Sequence, residues 1–195
     1  LTRGGVATNS TAGAKSFTLS NVKNPSATGL TGTFQIKTTN ATDAAIDQDL
    51  SVAAVTITSG SLTSVSLTRA SLVAGSTGNA TIAFTNANAI PTNGDVQITF
   101  PSGFDVSGVT AATSAVDIGG VLAATVSGQV VTVNLGSGLN ASTIVDDLIL
   151  NNVKNPGVSG STGTFAIETQ DAGDVKIDEG TAAALTITAA ALTST

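Results

Sequence analysis

The sequence repeats itself at an offset of 131 residues, and this internal repeat limits the folds open to the chain more than any other feature. Residues 19–25, Leu-Ser-Asn-Val-Lys-Asn-Pro, return as residues 150–156, Leu-Asn-Asn-Val-Lys-Asn-Pro. Between residues 17–50 and 148–181, 17 of 34 positions are identical, which exceeds what chance gives even in a biased composition. A period of this length is typical of a small domain in a tandem array.

The repeat divides the chain into one and a half units. The match runs to the end of the chain, with one residue lost on the way, so that residues 66–195 form one complete period of 130 residues. We call residues 1–65 the first back-half, residues 66–135 the front half and residues 136–195 the second back-half. The predicted domains are therefore the second half of a β-sandwich repeat at 1–65 and a complete β-sandwich repeat at 66–195.

Two back-halves accompany one front half, so pairing within the chain cannot complete both. A lone back-half would leave strand edges and one face of a sandwich open, and both promote association. The chain begins at Leu1 without an initiator Met, and we expect sequence to precede it. We also expect strands outside this chain to complete the first back-half, in an open head-to-tail fibre rather than a closed dimer.

Four segments alternate apolar and polar residues at a period of two, as strands with one buried face do. Thr and Ser occupy 52 of the 195 positions, and β-branched Thr favours pleated, half-buried surfaces. Helical periodicity is absent, and residues 140–147 could form one helical turn at most. The pattern predicts an all-β, immunoglobulin-like Greek-key β-sandwich. The four segments are residues 80–84, 96–100, 131–135 and 165–169.

Three segments rich in Asn, Asp and Gly are typical of tight turns. Asn93-Gly94, Ser127-Gly128 and residues 171–174 each predict a hairpin between the strands that flank them.

The repeat also predicts that the two copies share core positions. Phe34 and Ile36 lie two residues apart on one strand face, as do Phe165 and Ile167. If both back-halves adopt the same fold, all four side chains are buried.

The composition excludes several classes of function. The chain has no Cys, His, Trp or Tyr, which removes thiol nucleophiles, Cys/His zinc sites and triads that use imidazole. With 7 basic and 13 acidic residues the net charge is −6, so we expect no nucleic-acid partner. No run of 18 apolar residues is present that could insert in a membrane. We therefore expect a protein that is not an enzyme.

One long segment resembles a known class of repeats. Residues 80–104, with Ile-Pro-Thr-Asn-Gly at 90–94 and Ile-Thr-Phe-Pro-Ser-Gly-Phe at 98–104, resemble the immunoglobulin-like tandem repeats of large secreted bacterial and archaeal cell-surface proteins. So does the Asn-Val-Lys-Asn-Pro…Thr-Gly-Thr-Phe run at 152–165. These are folding motifs and not catalytic ones. The resemblance implies an extracellular component of a stalk, S-layer coat, adhesin or filament.

Acidic residues cluster around one hairpin in each copy. Asp43 and Asp47 in the first back-half correspond to Asp174 and Asp178 in the second. Calcium takes about six to eight oxygen ligands, which carboxylates and loop carbonyls at a junction between sandwiches could supply. Turn formation by the same Asp residues is the structural alternative, and no D-x-D-x-D-G loop is present. Calcium is therefore the one candidate cofactor, with Asp47 and Asp178 nearest the junction.

Four Asn-x-Ser/Thr sequons are candidate glycosylation sites. They begin at Asn9, Asn40, Asn79 and Asn140, and Asn9 and Asn140 occupy the same repeat position. A composition this rich in Asn, Ser and Thr produces several sequons by chance.

Two classes of function remain open. In the first, the chain is a non-enzymatic structural repeat of a stalk, coat or filament that associates with itself. In the second, it is an adhesin module that binds a glycan or a surface receptor through loops at one end of the sandwich, stiffened by calcium. The lack of Trp and Tyr disfavours a glycan site, because sugars usually stack on those rings.

Overall fold

The computed structural model describes residues 13–14 and 16–192, and this part of the chain contains strands and turns but no helix. Sixteen strands lie within these described residues, and most are short. Their bounds are β1 Gly29–Leu30, β2 Phe34–Thr39, β3 Ala45–Val52, β4 Thr56–Ile57, β5 Gly60–Ser61, β6 Thr63–Arg69, β7 Thr77–Thr85, β8 Asp95–Thr99, β9 Ala111–Ser114, β10 Gly120–Ser127, β11 Val130–Asn134, β12 Ile144–Lys154, β13 Gly160–Ser161, β14 Phe165–Gln170, β15 Lys176–Ala182 and β16 Thr186–Ile187.

Ten of these strands form one continuous sheet, in the order β5-β15-β14-β8-β11-β10-β9-β12-β7-β6. The sheet folds into two layers because β10 belongs to both. Its first half, from Gly120, pairs with β9, and its second half, from Ala124, pairs with β11. Neighbours that are distant in sequence, such as β8 with β14 and β9 with β12, make this the all-β, immunoglobulin-like Greek-key β-sandwich that the sequence predicts.

The core lies between the two layers, and the period-two pattern of the sequence places it there. In β7, residues 80, 82 and 84 are buried and residues 81, 83 and 85 are half-buried, and β11 alternates in the same way. In β14, residues 165, 167 and 169 are buried. The rings of Phe100, Phe104 and Phe165 meet edge to face, with centroids 5.5 to 5.6 Å apart. Phe165 comes from the second back-half and the other two from the front half, so this cluster joins the two halves.

The structure confirms most of the predicted local elements and corrects two. All four alternating segments lie in strands, and the hairpins at Ser127-Gly128 and at residues 171–174 are present. The hairpin at Asn93-Gly94 is wrong: β7 and β8 lie in different layers, and the chain crosses between them. Residues 140–147 form no helical turn, because Asn86 satisfies the amide of Thr143 and β12 begins at the next residue.

The first back-half repeats the local structure of the second. Thr31 donates its amide hydrogen to the carbonyl of Val55 at 3.0 Å, and its Oγ1 accepts the amide of Val55 at 3.1 Å. Thr162 and Leu185 make the same two hydrogen bonds, each at 3.0 Å. β1 pairs with β4 as β13 pairs with β16, and β2 pairs with β3 as β14 pairs with β15. Short-range sequence is therefore enough to set these turns and pairings.

A β-bulge accommodates the one extra residue that makes the first copy longer than the second. In the β2–β3 hairpin, Phe34 pairs with Val52 and Ile36 pairs with Asp49, so two residues of β3 lie opposite one residue of β2. The corresponding step in β14–β15 is regular. The extra residue therefore bends one strand locally and leaves the rest of the hairpin in register.

The two copies differ in the burial of their apolar side chains, and here the prediction of a shared core is wrong. Phe165 and Ile167 are fully buried, but Phe34 is 45% exposed and Ile36 is 47% exposed. β2 and β3 form a two-stranded sheet of their own, and in the described part of the chain no other strand pairs with them. Their apolar face lacks the layer that covers its counterpart.

The packed sandwich begins a few residues before the predicted boundary at 65/66. β5 pairs in parallel with β15, Leu62 is buried in the core, and β6 runs across the boundary. Only two residues separate β4 from β5, so the first back-half continues into the sandwich without a linker.

We predict that the same mutation destabilises the protein strongly in the second copy and hardly at all in the first. Phe165→Ala should lower the free energy of unfolding by about 3–5 kcal/mol, because it empties the centre of the core. Phe34→Ala is the matched control and should change it by less than about 0.5 kcal/mol, because its ring is largely in solvent. Urea unfolding followed by circular dichroism measures both. Equal losses would show that the two copies have the same packing.

Candidate functional site

The contact between the second back-half and the front half is the most elaborate site in the molecule. β14 adds to the edge of β8, with Ile167 opposite Ile98 and Thr169 opposite Val96. In the other layer β12 lies between β7 and β9. Apolar side chains cover the inner faces of these strands. Two buried polar residues of the second back-half, one in β15 and one directly after β12, fix the loops of the front half.

Asp178 is the first of these polar residues, and it is fully buried. Its carboxylate accepts hydrogen bonds from the amides of Ala87 and Asn88, at 3.0 and 2.9 Å, and from Nδ2 of Asn88 at 2.7 Å. Its own amide donates to Oγ1 of Thr169 at 3.1 Å. A Cβ at Gly60 would overlap this carboxylate, so glycine is needed where β5 passes over it. We call this arrangement the Asp178 clamp.

Asn155 is the second buried polar residue. Its Oδ1 accepts a hydrogen bond from Nε of Arg69 at 2.9 Å, and its Nδ2 donates to the carbonyls of Ser71 and Val73, both at 2.9 Å. The guanidinium of Arg69 also donates to the carbonyl of Val153. Burial lowers the pKa of Arg69. We call this arrangement the Asn155 clamp, and it ties β12 to the loop after β6.

The first back-half carries both clamp residues without the loops that they hold. Asn24 corresponds to Asn155 and Asp47 to Asp178, and both are exposed. Oγ1 of Thr38 lies 3.3 Å from the carboxylate of Asp47 and accepts its amide at 3.1 Å, as Thr169 does for Asp178. No other described residue donates to the Asp47 carboxylate or to the side chain of Asn24. The hydrogen bond between Thr38 and Asp47 therefore forms without the front-half loop, while Asn24 is exposed at the position of Asn155.

The structure does not bring the four calcium candidates together. In the described part of the chain no group of three or more acidic side chains converges. Asp178 faces N–H donors, which suits an anion that closes a loop. Asp43 and Asp174 occupy equivalent turn positions with left-handed φ of 59° and 62°, and Asp47 is exposed. Calcium binding at these residues stays a prediction.

The sequons differ in their surroundings. Oδ1 of Asn40 accepts the amides of Thr42 and Ala44, so this side chain closes a turn. Asn79 and Asn140 are exposed, and the carbonyl of Asn140 accepts a bond from Asn86. Asn9 lies outside the described residues. Glycosylation at the four positions stays a prediction.

Asp147 stabilises a turn at one end of the sandwich. Its carboxylate accepts hydrogen bonds from the hydroxyl of Ser114 and from the amides of Ala115 and Val116, the latter two at 2.7 Å. Burial alone would raise the pKa of this carboxyl, but the hydroxyl and amide donors outweigh it and hold the pKa below its ordinary value of 3.8. The ionised form is therefore the one that holds the turn.

Glu168 and Glu179 are cross-strand neighbours on the outer surface of β14 and β15. Lys176 bridges them, at 2.8 Å from Glu168 and 2.7 Å from Glu179. Hydrogen bonds to Glu168 and Glu179 raise the pKa of Lys176. The pair therefore shares one counterion on an open sheet surface.

Sequence reasoning missed the clamps, although a signal was present. Asn24 and Pro25 recur in the second copy within the longest identical run, residues 21–25, and Asp47 recurs together with Ile46. An Asn or Asp that recurs with its apolar neighbours is compatible with a turn as well as with a buried clamp. The partners of the clamps, Arg69 and Asn88, lie in the front half, which occurs once, so the repeat gives no signal for them.

Comparisons with known proteins leave the family open. No protein-family model matches the chain, and no curated protein matches it either. Among solved structures it is similar to a non-cellulosomal cohesin from the hyperthermophilic archaeon Archaeoglobus fulgidus, at 15% sequence identity and a TM-score of 0.36. The match covers 64% of this chain and 91% of the cohesin.

We predict that Asp178→Asn destabilises the sandwich by about 1.5–3 kcal/mol, because an amide offers N–H groups where the loop also presents N–H groups. Asp47→Asn is the matched control, and its effect should stay within about 0.5 kcal/mol. Urea unfolding at neutral pH measures both. A neutral Asp178→Asn variant would contradict the clamp.

We predict that the contribution of Asp147 to stability depends on pH. A carboxyl whose pKa is lowered by folding stabilises the protein above its unfolded pKa, and the stabilisation is lost as pH falls through the folded pKa. Asp147→Asn should therefore lower the urea midpoint at pH 6 and cost progressively less below pH 3.8, the ordinary value of that pKa. Asp146→Asn serves as control, because no described residue donates to its carboxylate. A cost that is independent of pH would contradict this account.

Proposed function

We propose that this chain is part of a non-enzymatic, extracellular structural protein, a tandem β-sandwich repeat that builds a stalk, coat or filament at the cell surface. The observation that carries the proposal is the direct junction between units. β4 ends at Ile57, β5 begins at Gly60, and β5 then pairs with β15 of the sandwich that follows. The amide of Thr28 also donates to the carbonyl of Lys176 at 2.9 Å. Units joined this closely suit a rod better than a flexible string.

The surface chemistry supports an inert extracellular scaffold. Only 10% of the residues are charged, and Ser and Thr make up most of the polar residues. The sequence resemblance to secreted tandem repeats supports the same location. In the described residues no helix is long and apolar enough to cross a bilayer.

The disposition of the acidic residues supports a role without catalysis. Asp147 and Asp178 accept hydrogen bonds that close loops, and Glu168 and Glu179 share Lys176 on an open surface. A shallow depression lined by residues 102–103, 156, 158–162 and 187 contains no titratable side chain. A second one, lined by residues 166–168 and 179–181, contains Glu168 and Glu179, which Lys176 bridges. A glycosidase would need paired carboxylates in a cleft that holds the sugar.

The alternative function is an adhesin module that binds a glycan or a protein partner, stiffened by calcium. The candidate calcium ligands of such a module are the acidic residues at the ends of the hairpins, together with loop carbonyls. The missing Trp and Tyr disfavour sugar stacking. A glycan array read with and without chelator separates the two functions, because binding that chelator removes would favour the adhesin.

We predict that chains with one, two and three added copies of residues 62–191 grow linearly in length. β7 has nine residues, so a sandwich is about 30 Å long, and each copy should add about that much or more to the maximum dimension. Small-angle X-ray scattering measures this length. A control with about ten Gly and Ser residues inserted at every junction, between Thr58 and Ser59 and between Thr188 and Ala189 of each added copy, should lose the linear growth, because such linkers behave as coils.

Increments that shrink with each copy in the uninterrupted series would contradict a rod.

On the cells that produce the protein, an antibody against residues 60–192 should label the outer surface in ordered rows or fibres. Label confined to the cell interior would overturn the extracellular assignment.

A further inference from the structure

The first back-half has exposed apolar side chains at the positions whose counterparts form the buried face of the second. Each counterpart is at most 1% exposed. We call residues 17–57 the acceptor surface. The matched pairs are Phe17 with Leu148, Leu19 with Leu150, Val22 with Val153, Phe34 with Phe165, Ile36 with Ile167 and Ile46 with Ile177.

The acceptor surface also lacks the strands that the second copy pairs with. β2 pairs only with β3 in the described part of the chain, so the edge that corresponds to the β8-facing edge of β14 is open. Residues 16–23 form no strand, whereas their counterpart, β12, lies between β7 and β9. A segment with the alternating apolar and polar residues of β12 needs strands on both sides, with which it can form hydrogen bonds, before it becomes a strand itself.

We propose that the acceptor surface binds a front half of the same repeat type, supplied by the preceding repeat of a tandem array. The inference rests on the proposed function and names the partner of each back-half. The front-half strands equivalent to β7, β8 and β9 would cover the apolar face. The loops equivalent to residues 86–88 and 69–76 would close on Asp47 and Asn24, as they close on Asp178 and Asn155.

The number of front halves and back-halves favours a front half from the same array over one from a second copy of this chain. The front half of each chain already covers its own second back-half. A copy that lent its front half would expose as much apolar surface as it covered, so exchange between copies gains nothing. A front half that covers no other back-half can bind the acceptor surface without exposing apolar surface elsewhere.

One position limits how closely the new interface can copy the existing one. At Gly180 a Cβ would lie 2.9 Å from Cβ of Leu62 and 2.8 Å from Cγ2 of Val65, so this glycine admits the chain between β5 and β6. The acceptor surface has Asp49 there, next to the bulge in β3. The segment equivalent to residues 60–65 therefore runs further from β3, while the contacts of the clamps are retained.

The test extends the chain by placing residues 60–139 directly before Asn9, which supplies the missing front half. The protein has no Cys, so Ile36→Cys gives a single thiol in the acceptor surface and Ile167→Cys a buried reference. In the 195-residue chain the thiol at position 36 should react like a free thiol. In the extended chain it should react at least about 100-fold more slowly, as the thiol at position 167 does in both.

A matched control carries Ile98→Asp in the added copy only, and protection of position 36 should be lost. Fast labelling of position 36 in the extended chain would overturn the inference, and it would leave the rod test of the proposed function unaffected. Protection in the 195-residue chain that grows with concentration, together with a doubled mass by light scattering, would also overturn it, because a second copy would then be the occupant.

Discussion

The packing of a front half onto the apolar face of a back-half is the interaction on which the rest of the structure depends. Where it is present, β14 extends the sheet of β8, three Phe rings meet in the core, and β12 forms between two strands. Where it is absent, the same motif makes its turns and short pairings only. Burial of each large apolar side chain contributes about 1.5–3 kcal/mol, and an isolated hairpin is marginally stable without it.

The two polar clamps give this packing its register. The hydrophobic effect has no direction, so apolar faces alone could slide along one another. Asp178 and Asn155 are buried, and buried polar groups must be hydrogen-bonded. Their partners sit at fixed points of the front half, on either side of the core, so only one register satisfies both. Their counterparts in the first back-half, Asn24 and Asp47, are exposed.

Some features could be predicted from the sequence because they depend on short-range patterns. Alternation identified the strands that include Ile82, Ile98 and Phe165, and turn residues identified two hairpins. The hairpin at Asn93-Gly94 was wrong because a turn signal does not say whether the next strand stays in the same layer. The burial of Phe34 was wrong because burial belongs to a pair of surfaces, and one of them is missing. The clamps were missed because their partners are more than 80 residues away.

The sequence by itself determined the all-β class, the repeat and the local geometry of both back-halves, since each follows from residue type and spacing within a few positions. Only the tertiary structure decided which copy has a core, which strands adjoin β14 and β12, and what Asp178 and Asn155 do. These depend on contacts between distant segments. Two copies of one motif can therefore share their turns and hairpins and still differ in burial, because the partner strands determine burial.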